Sequence, residues 1–379
     1  MRLGRRALLA GAAVVALAAS GCTGSAEPAP SATRTAGPSP TDTQTPTPAE
    51  EPNPGVEPTG NVDVLAEGLS IPWSVIPLDD GGALISERNS ARVVELTADG
   101  EVREAGRVPG VAPGGEGGLL GIALLGEPGD ADAWLYAYFT SGPDNRVVRM
   151  PLTGDPGSLG LGEPEELLTG LAAAGTHNGG RIKFGPDGML YVTVGDAQLR
   201  DLAQDPEALA GKILRITPEG DVPADNPFVG SPVWSYGHRN PQGIAWDDAG
   251  RLWATEFGQN TWDELNLIEP GQNYGWPVVE GRGGGGEFVD PVFQWSPDEA
   301  SPSGLAWSEG TLFVASLRGQ RIWTIDSADG DPQADEWFVG EYGRIRDVVI
   351  APDGSLWFLT NDTGNDRLLR VALVPRDGS

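Results

Sequence analysis

The sequence predicts an all-β protein, a six-bladed β-propeller of four-stranded antiparallel blades, and two observations carry that prediction. The first is composition: 55 glycines, 33 prolines and 12 tryptophans in 379 residues favour many short strands joined by tight turns over long helices. The second is a recurring phrase. A turn such as Pro-Asp-Gly leads into an alternating apolar strand, then a polar gap, then a second strand carrying a basic residue.

The elements follow in chain order. Residues 1–21 read as an export signal, with Arg2, Arg5 and Arg6 as the basic start and an apolar run from Ala7 to Ala19 too short to span a membrane. Arg5-Arg6 before Ala7-Leu8-Leu9 also resembles a twin-arginine signal. The single cysteine, Cys22, follows Ala18-Ala19-Ser20-Gly21, which resembles a bacterial lipoprotein box with Ala19 in place of leucine. The sequence therefore predicts a lipid anchor on Cys22 at the outer face of the cytoplasmic membrane, and no cysteine is left for a disulfide. Residues 22–60 are Pro, Ser, Thr, Ala and Glu with almost no large apolar side chain. Such a segment cannot bury enough surface to order itself and reads as an extended tether.

Residues 61–375 carry the repeat. Four copies are clear: Met189 to Val194 with Ile213 to Ile216, Leu252 to Thr255 with Leu265 to Ile268, Leu312 to Ala315 with Ile322 to Ile325, and Leu356 to Leu359 with Leu368 to Val371. Two weaker copies lie upstream, Ala83 to Ser86 with Val93 to Leu96 and Trp134 to Phe139 with Val147 to Met150. Six units at a spacing of roughly 45–60 residues match the period of propeller blades. Asp-Gly turns supply the positive φ that closes each hairpin. In such a fold the long polar insertions converge at the channel mouth, which places there residues 114–121, 175–181, 196–211, 236–243, 256–276, 317–320 and 343–347.

Charge narrows the function. A formal net charge of −29 argues against nucleic-acid or anionic-membrane binding, which need a basic footprint. No nucleophile elbow, P-loop or dinucleotide fingerprint stands out, because Gly114-Gly115-Glu116-Gly117-Gly118 precedes a strand and lacks a phosphate-loop lysine. The chain has only two histidines. His177, in a glycine-rich loop, reads either as a general base or as a loop histidine bonded to a neighbouring strand. His238 reads as structural, and its neighbour Arg239 either grips an oxyanion in bidentate fashion or caps a turn. The segment from Glu256 to Glu264, with Gln272-Asn273-Tyr274 after it, offers the hard oxygens that suit Ca²⁺; acidic loops holding blade edges are the other reading. Arg344 and Arg346 share one side of an extended strand and, with Arg239 and Arg318, point either to an anionic ligand or to salt bridges between blades.

Taken together, Gly114-Gly115-Glu116-Gly117-Gly118-Leu119-Leu120, His177-Asn178-Gly179-Gly180-Arg181, Gly237-His238-Arg239-Asn240-Pro241-Gln242-Gly243, Asp263-Glu264-Leu265-Asn266, Asn273-Tyr274-Gly275-Trp276-Pro277 and Arg344-Ile345-Arg346 resemble the soluble PQQ-dependent sugar dehydrogenases. The resemblance implies pyrroloquinoline quinone held through calcium, and oxidation of the anomeric carbon of an aldose to a lactone. It implies that His177 takes the hydroxyl proton while hydride passes to the quinone, that Asp196 orients His177, and that Arg239 steadies developing charge. Asn240, Arg318, Arg344 and Arg346 would hold the cofactor. Glu116 joins that set, standing where the family has a glutamine facing the sugar. The carbonyls of Gly258 and Gln259 match the catalytic calcium site, and Glu264 with Tyr274 a second, structural calcium. Electrons would leave to an external acceptor. Besides Glu116, the chain departs from the pattern at Arg318, where relatives have a lysine, and in the short, glycine-rich loop 281–286. Two other readings keep the fold: a cofactor-free lipoprotein that binds a sugar or protein, and a metal-dependent lactonase.

Overall fold

The computed structural model describes residues 55–326, 332–362 and 365–376. The export signal, Cys22 and residues 22–54 of the expected tether lie outside them. The described chain forms six antiparallel sheets with no α-helix, each four strands in sequence order except where noted below. Their first strands, Pro72–Pro77, Leu119–Leu125, Ile182–Phe184, Pro241–Trp246, Pro302–Ser308 and Ile345–Ile350, surround a central channel. This is the six-bladed propeller that the repeat predicts. The second blade gains a two-residue strand, Gly160–Leu161, on its flank.

Strand alternation explains how the ring holds together. Neighbouring residues of a strand point to opposite faces of the blade, so Leu119 enters the apolar layer shared with the first blade while Leu120 enters the layer shared with the third. Ile244 and Ala245 divide in the same way between the layers on either side of the fourth blade. Each pair of adjacent blades therefore shares its own buried cluster, and removal of apolar surface from water is the main force closing the ring.

Closure of the last blade differs from the sequence expectation. The first strand, Val56–Leu69, is the outermost strand of the sixth blade and pairs antiparallel with Asp366–Pro375, from Val56 opposite Pro375 to Leu69 opposite Asp366. Residues 56–60, assigned to the tether, thus belong to the propeller. This edge strand is largely exposed and interrupted by register shifts, so it carries no alternating apolar signal.

The channel is crossed by a polar layer. The Arg181 and Arg346 guanidiniums both lie over the Trp73 ring, at 4.2 and 5.7 Å. Arg181 also pairs with buried Asp347 at 2.9 Å and donates from Nε to the Gln242 carbonyl. On one side of this layer lies a cavity of about 340 Å³ walled by the inner strands; on the other lies the site described next.

Candidate active site

The loops that leave the inner strands enclose two adjoining cavities of about 230 and 270 Å³. Glu116, Phe257, Leu317 and Arg344 line both. Of the residues singled out from the sequence, Glu116, His177, Arg239, Gly258, Gln259, Arg318, Arg344 and Arg346 line these cavities, whereas Asp196, Asn240, Glu264 and Tyr274 lie behind them; the lining comes from all six blades.

His177 lines the second cavity in a left-handed backbone conformation, φ 61°. The conformation is held from several sides. Its N–H donates to Glu116 Oε2 at 2.8 Å, and its carbonyl accepts from Ala197 N–H. Gly195 lets the two loops meet, since a Cβ there would sit 2.0 Å from the His177 carbonyl oxygen. His177 Nδ1 lies 2.7 Å from Asp196 Oδ1. Asp196 is fully buried and also accepts from Gln198 N–H and, through Oδ2, from Trp276 Nε1, both at 2.8 Å. Burial alone would raise the Asp196 carboxyl, but the donors from His177, Gln198 and Trp276 outweigh it and hold it below the ordinary carboxylate value. An ionised Asp196 fixes the proton on Nδ1 and leaves Nε2 as the basic nitrogen.

The cationic residues also converge. Arg88, Arg239, Arg318, Arg344 and Arg346 line the paired cavities, against only three carboxylates, Glu116, Asp263 and Asp362. Burial lowers the proton affinity of Arg346, and the adjacent Arg88, Arg344 and Arg181 lower it further. A guanidinium keeps its proton in proteins, so this crowding acts as a demand for an anion. Arg346 Nε, Arg239 Nε and Asn240 Nδ2 are buried with no acceptor among the described residues. Arg88 and Trp73 were not singled out from the sequence; they come from the first blade, and nothing local to them signals a site. Arg318 differs from the rest, because it is largely exposed and pairs with Asp298 at 2.5 Å on the rim.

Gly258 and Gln259 line the cavity beside His177 and Arg239. Gly258 N–H donates to Asp263 Oδ1, and a Cβ on Gly258 would lie 1.7 Å from the Trp262 carbonyl oxygen, so the turn admits only glycine there. The next four N–H groups, of Gln259, Asn260, Thr261 and Trp262, all donate to Glu280 Oε1. Burial pushes the Asp263 carboxyl up to about 6 despite its bonds to the Ser301 and Gly258 N–H groups.

Behind this turn sit Glu264 and Tyr274. Glu264 faces Glu256 across two paired strands, and burial together with that like charge pushes its carboxyl up to about 8. The like charge opposite it favours the protonated form of Glu264. The Tyr274 hydroxyl is already committed, donating to the Leu267 carbonyl and accepting from Glu269 N–H, so only the main chain of Tyr274 is left to a metal. His238 is buried, bonds Ser235 through Nε2 and stacks on the Tyr274 ring at 4.8 Å. It is structural, as the sequence suggested.

A propeller whose mouth joins a histidine–aspartate pair to a pocket lined by five arginines is, by its similarity to known proteins, an oxidoreductase in class. The chain belongs to the Glucose / Sorbosone dehydrogenase family, whose pattern matches residues 69–370. It is similar to the aldose sugar dehydrogenase YliI of Escherichia coli, 31% identical over 83% of this chain and 93% of that protein. It also resembles quinoprotein glucose dehydrogenase B of Acinetobacter calcoaceticus, 31% identical over 58% of this chain and 52% of that one. Among solved structures, the PQQ-bound aldose sugar dehydrogenase of Streptomyces coelicolor superposes with a TM-score of 0.77 at 49% identity, covering 84% of this chain and all of that one.

Proposed function

We propose that this protein is a quinoprotein aldose dehydrogenase that oxidises the anomeric carbon of an aldose to the lactone. The observation that carries this reading is a histidine–aspartate pair opening onto the buried donors Arg346 Nε, Arg239 Nε and Asn240 Nδ2, which have no acceptor among the described residues. Such donors fit a planar, carboxylate-rich anion, whereas a neutral lactone calls for no guanidinium cluster. The N–H groups of the 258–262 turn are all held by carboxylates, which leaves carbonyl oxygens as its donors toward the pocket and suits Ca²⁺. When bound, pyrroloquinoline quinone supplies the two-electron acceptor, with calcium as its Lewis acid.

The chain's own residues do the rest. Arg344, Arg346 and Asn240 would bind and orient the anion, and Trp73 lines the same cavity as the two arginines. His177 Nε2 takes the proton of the anomeric hydroxyl, and ionised Asp196 stabilises the imidazolium that forms. Arg239, 3.1 Å from the Phe257 carbonyl and close to the Trp276 ring, offers positive charge beside His177. Glu116 anchors the His177 backbone and faces the same space. We further propose export and lipid anchoring through Cys22, with the electrons passing to an external acceptor.

The test is dye reduction by the purified protein supplied with the quinone, Ca²⁺ and a panel of aldoses. Turnover is expected, and His177→Ala should lower kcat roughly 10²–10⁴-fold, the usual contribution of a general base. Absence of quinone binding at micromolar concentration sinks the enzyme reading; full turnover by His177→Ala sinks only the assigned base.

A further inference from the structure

We propose that Glu280 is a positioning residue that turns the Gly258 and Gln259 carbonyls into the pocket and thereby sets its affinity for a divalent cation. This rests on the calcium part of the function proposed above. One carboxylate oxygen, Glu280 Oε1, accepts from four consecutive N–H groups: Gln259 at 2.7 Å, Asn260 and Thr261 at 2.9 Å, and Trp262 at 3.1 Å. Asp263 Oδ1 takes the preceding one, Gly258, at 2.8 Å.

Peptide geometry converts this into a statement about oxygens. In a trans peptide unit the N–H and C=O point in opposite directions. The N–H of Gln259 shares its unit with the Gly258 carbonyl, and the N–H of Asn260 shares its unit with the Gln259 carbonyl. Both carbonyls are therefore turned away from Glu280. Gly258 and Gln259 line the cavity beside His177 and Arg239.

A turn with so many convergent N–H groups is by itself an anion cradle. Here the anion belongs to the chain, so the turn's remaining valence is a set of hard oxygens on the other side, the donor type that Ca²⁺ selects. Glu280 lines neither of the two cavities. It acts through the two carbonyls.

The experiment is calorimetric titration of Ca²⁺ into the purified, quinone-free protein, comparing wild type with Glu280→Gln and Glu280→Ala and recording the thermal midpoint of each. Glu280→Gln keeps one acceptor oxygen without the charge and should bind one calcium equivalent several-fold more weakly; Glu280→Ala should bind it at least tenfold more weakly. A merely structural role would lower the midpoint in that order and leave calcium affinity unchanged, and that result overturns the proposal. If Glu280→Ala does not fold, Glu280→Gln gives the answer. Absence of calcium binding by wild type overturns the proposal together with the calcium part of the function, whereas equal affinities in wild type and variants overturn this proposal alone.

Discussion

Asp196→Asn is the substitution that most directly examines the acid/base pair. Asp196 is fully buried and its two oxygens receive three donors: His177 Nδ1 and Gln198 N–H on Oδ1, Trp276 Nε1 on Oδ2. An asparagine has one oxygen and one NH₂ for the same places. In one orientation the oxygen serves His177 and Gln198, and the NH₂ is pressed against the indole N–H, a buried donor facing a donor that costs about 1–3 kcal/mol. In the other the oxygen serves Trp276, the NH₂ faces the Gln198 N–H, and His177 must accept at Nδ1. Its proton then sits on Nε2, and the base is lost. Even in the first orientation the imidazolium loses its buried counter-charge. Loss of a positioned base is worth roughly 10²–10⁴ in rate, or about 3–5.5 kcal/mol at ~1.4 kcal/mol per tenfold. Steady-state dye reduction with saturating quinone and Ca²⁺ measures kcat, and urea unfolding measures the stability cost. A folded Asp196→Asn enzyme with kcat within twofold of wild type would refute the assignment of His177 as a base oriented by Asp196.

Two further outcomes follow from the same site. Arg346→Met should weaken quinone binding roughly 10–100-fold, the worth of one charge-assisted bond to a carboxylate; quinone titration reads it, and unchanged quinone affinity would remove Arg346 from the binding set. The depressed Asp196 carboxyl contributes stability that is present above the unfolded value of about 3.9 and lost as pH falls through the lower folded value. Urea midpoints measured downward from pH 5 should therefore fall more steeply for wild type than for Asp196→Asn, and identical slopes would show that Asp196 is not held ionised.

Most of the ring was legible because blade strands bury both faces in turn, as Leu119 and Leu120 do, and because Asp-Gly turns mark the hairpins. The strand at residues 56–60 was not, since an edge strand held by backbone bonds needs no apolar pattern. In the site, His177 and Arg239 announced themselves by residue type in loops of unusual composition and the Arg344/Arg346 pair by strand alternation, whereas Asp196 came only with the family resemblance. Glu280 did not. Its role lies in four backbone donors about twenty residues upstream, and main-chain donors leave no trace in residue identity. Arg88 and Trp73 were hidden for another reason: six separated loops meet at the axis, and linear neighbours do not report that meeting.

The pairing of Val56–Leu69 with Asp366–Pro375 has a consequence for the order of events during synthesis. The sixth blade needs strands from both ends of the chain, so a nascent polypeptide can stack five blades and still present an open ring with an unpaired edge. The channel, the cavity wall at Trp73 and the approach of Arg344 and Arg346 to His177 all depend on that last annealing step. Its sequence separation makes it among the slowest contacts to form. The cavities at the channel mouth are therefore complete only once Val56–Leu69 has paired with Asp366–Pro375.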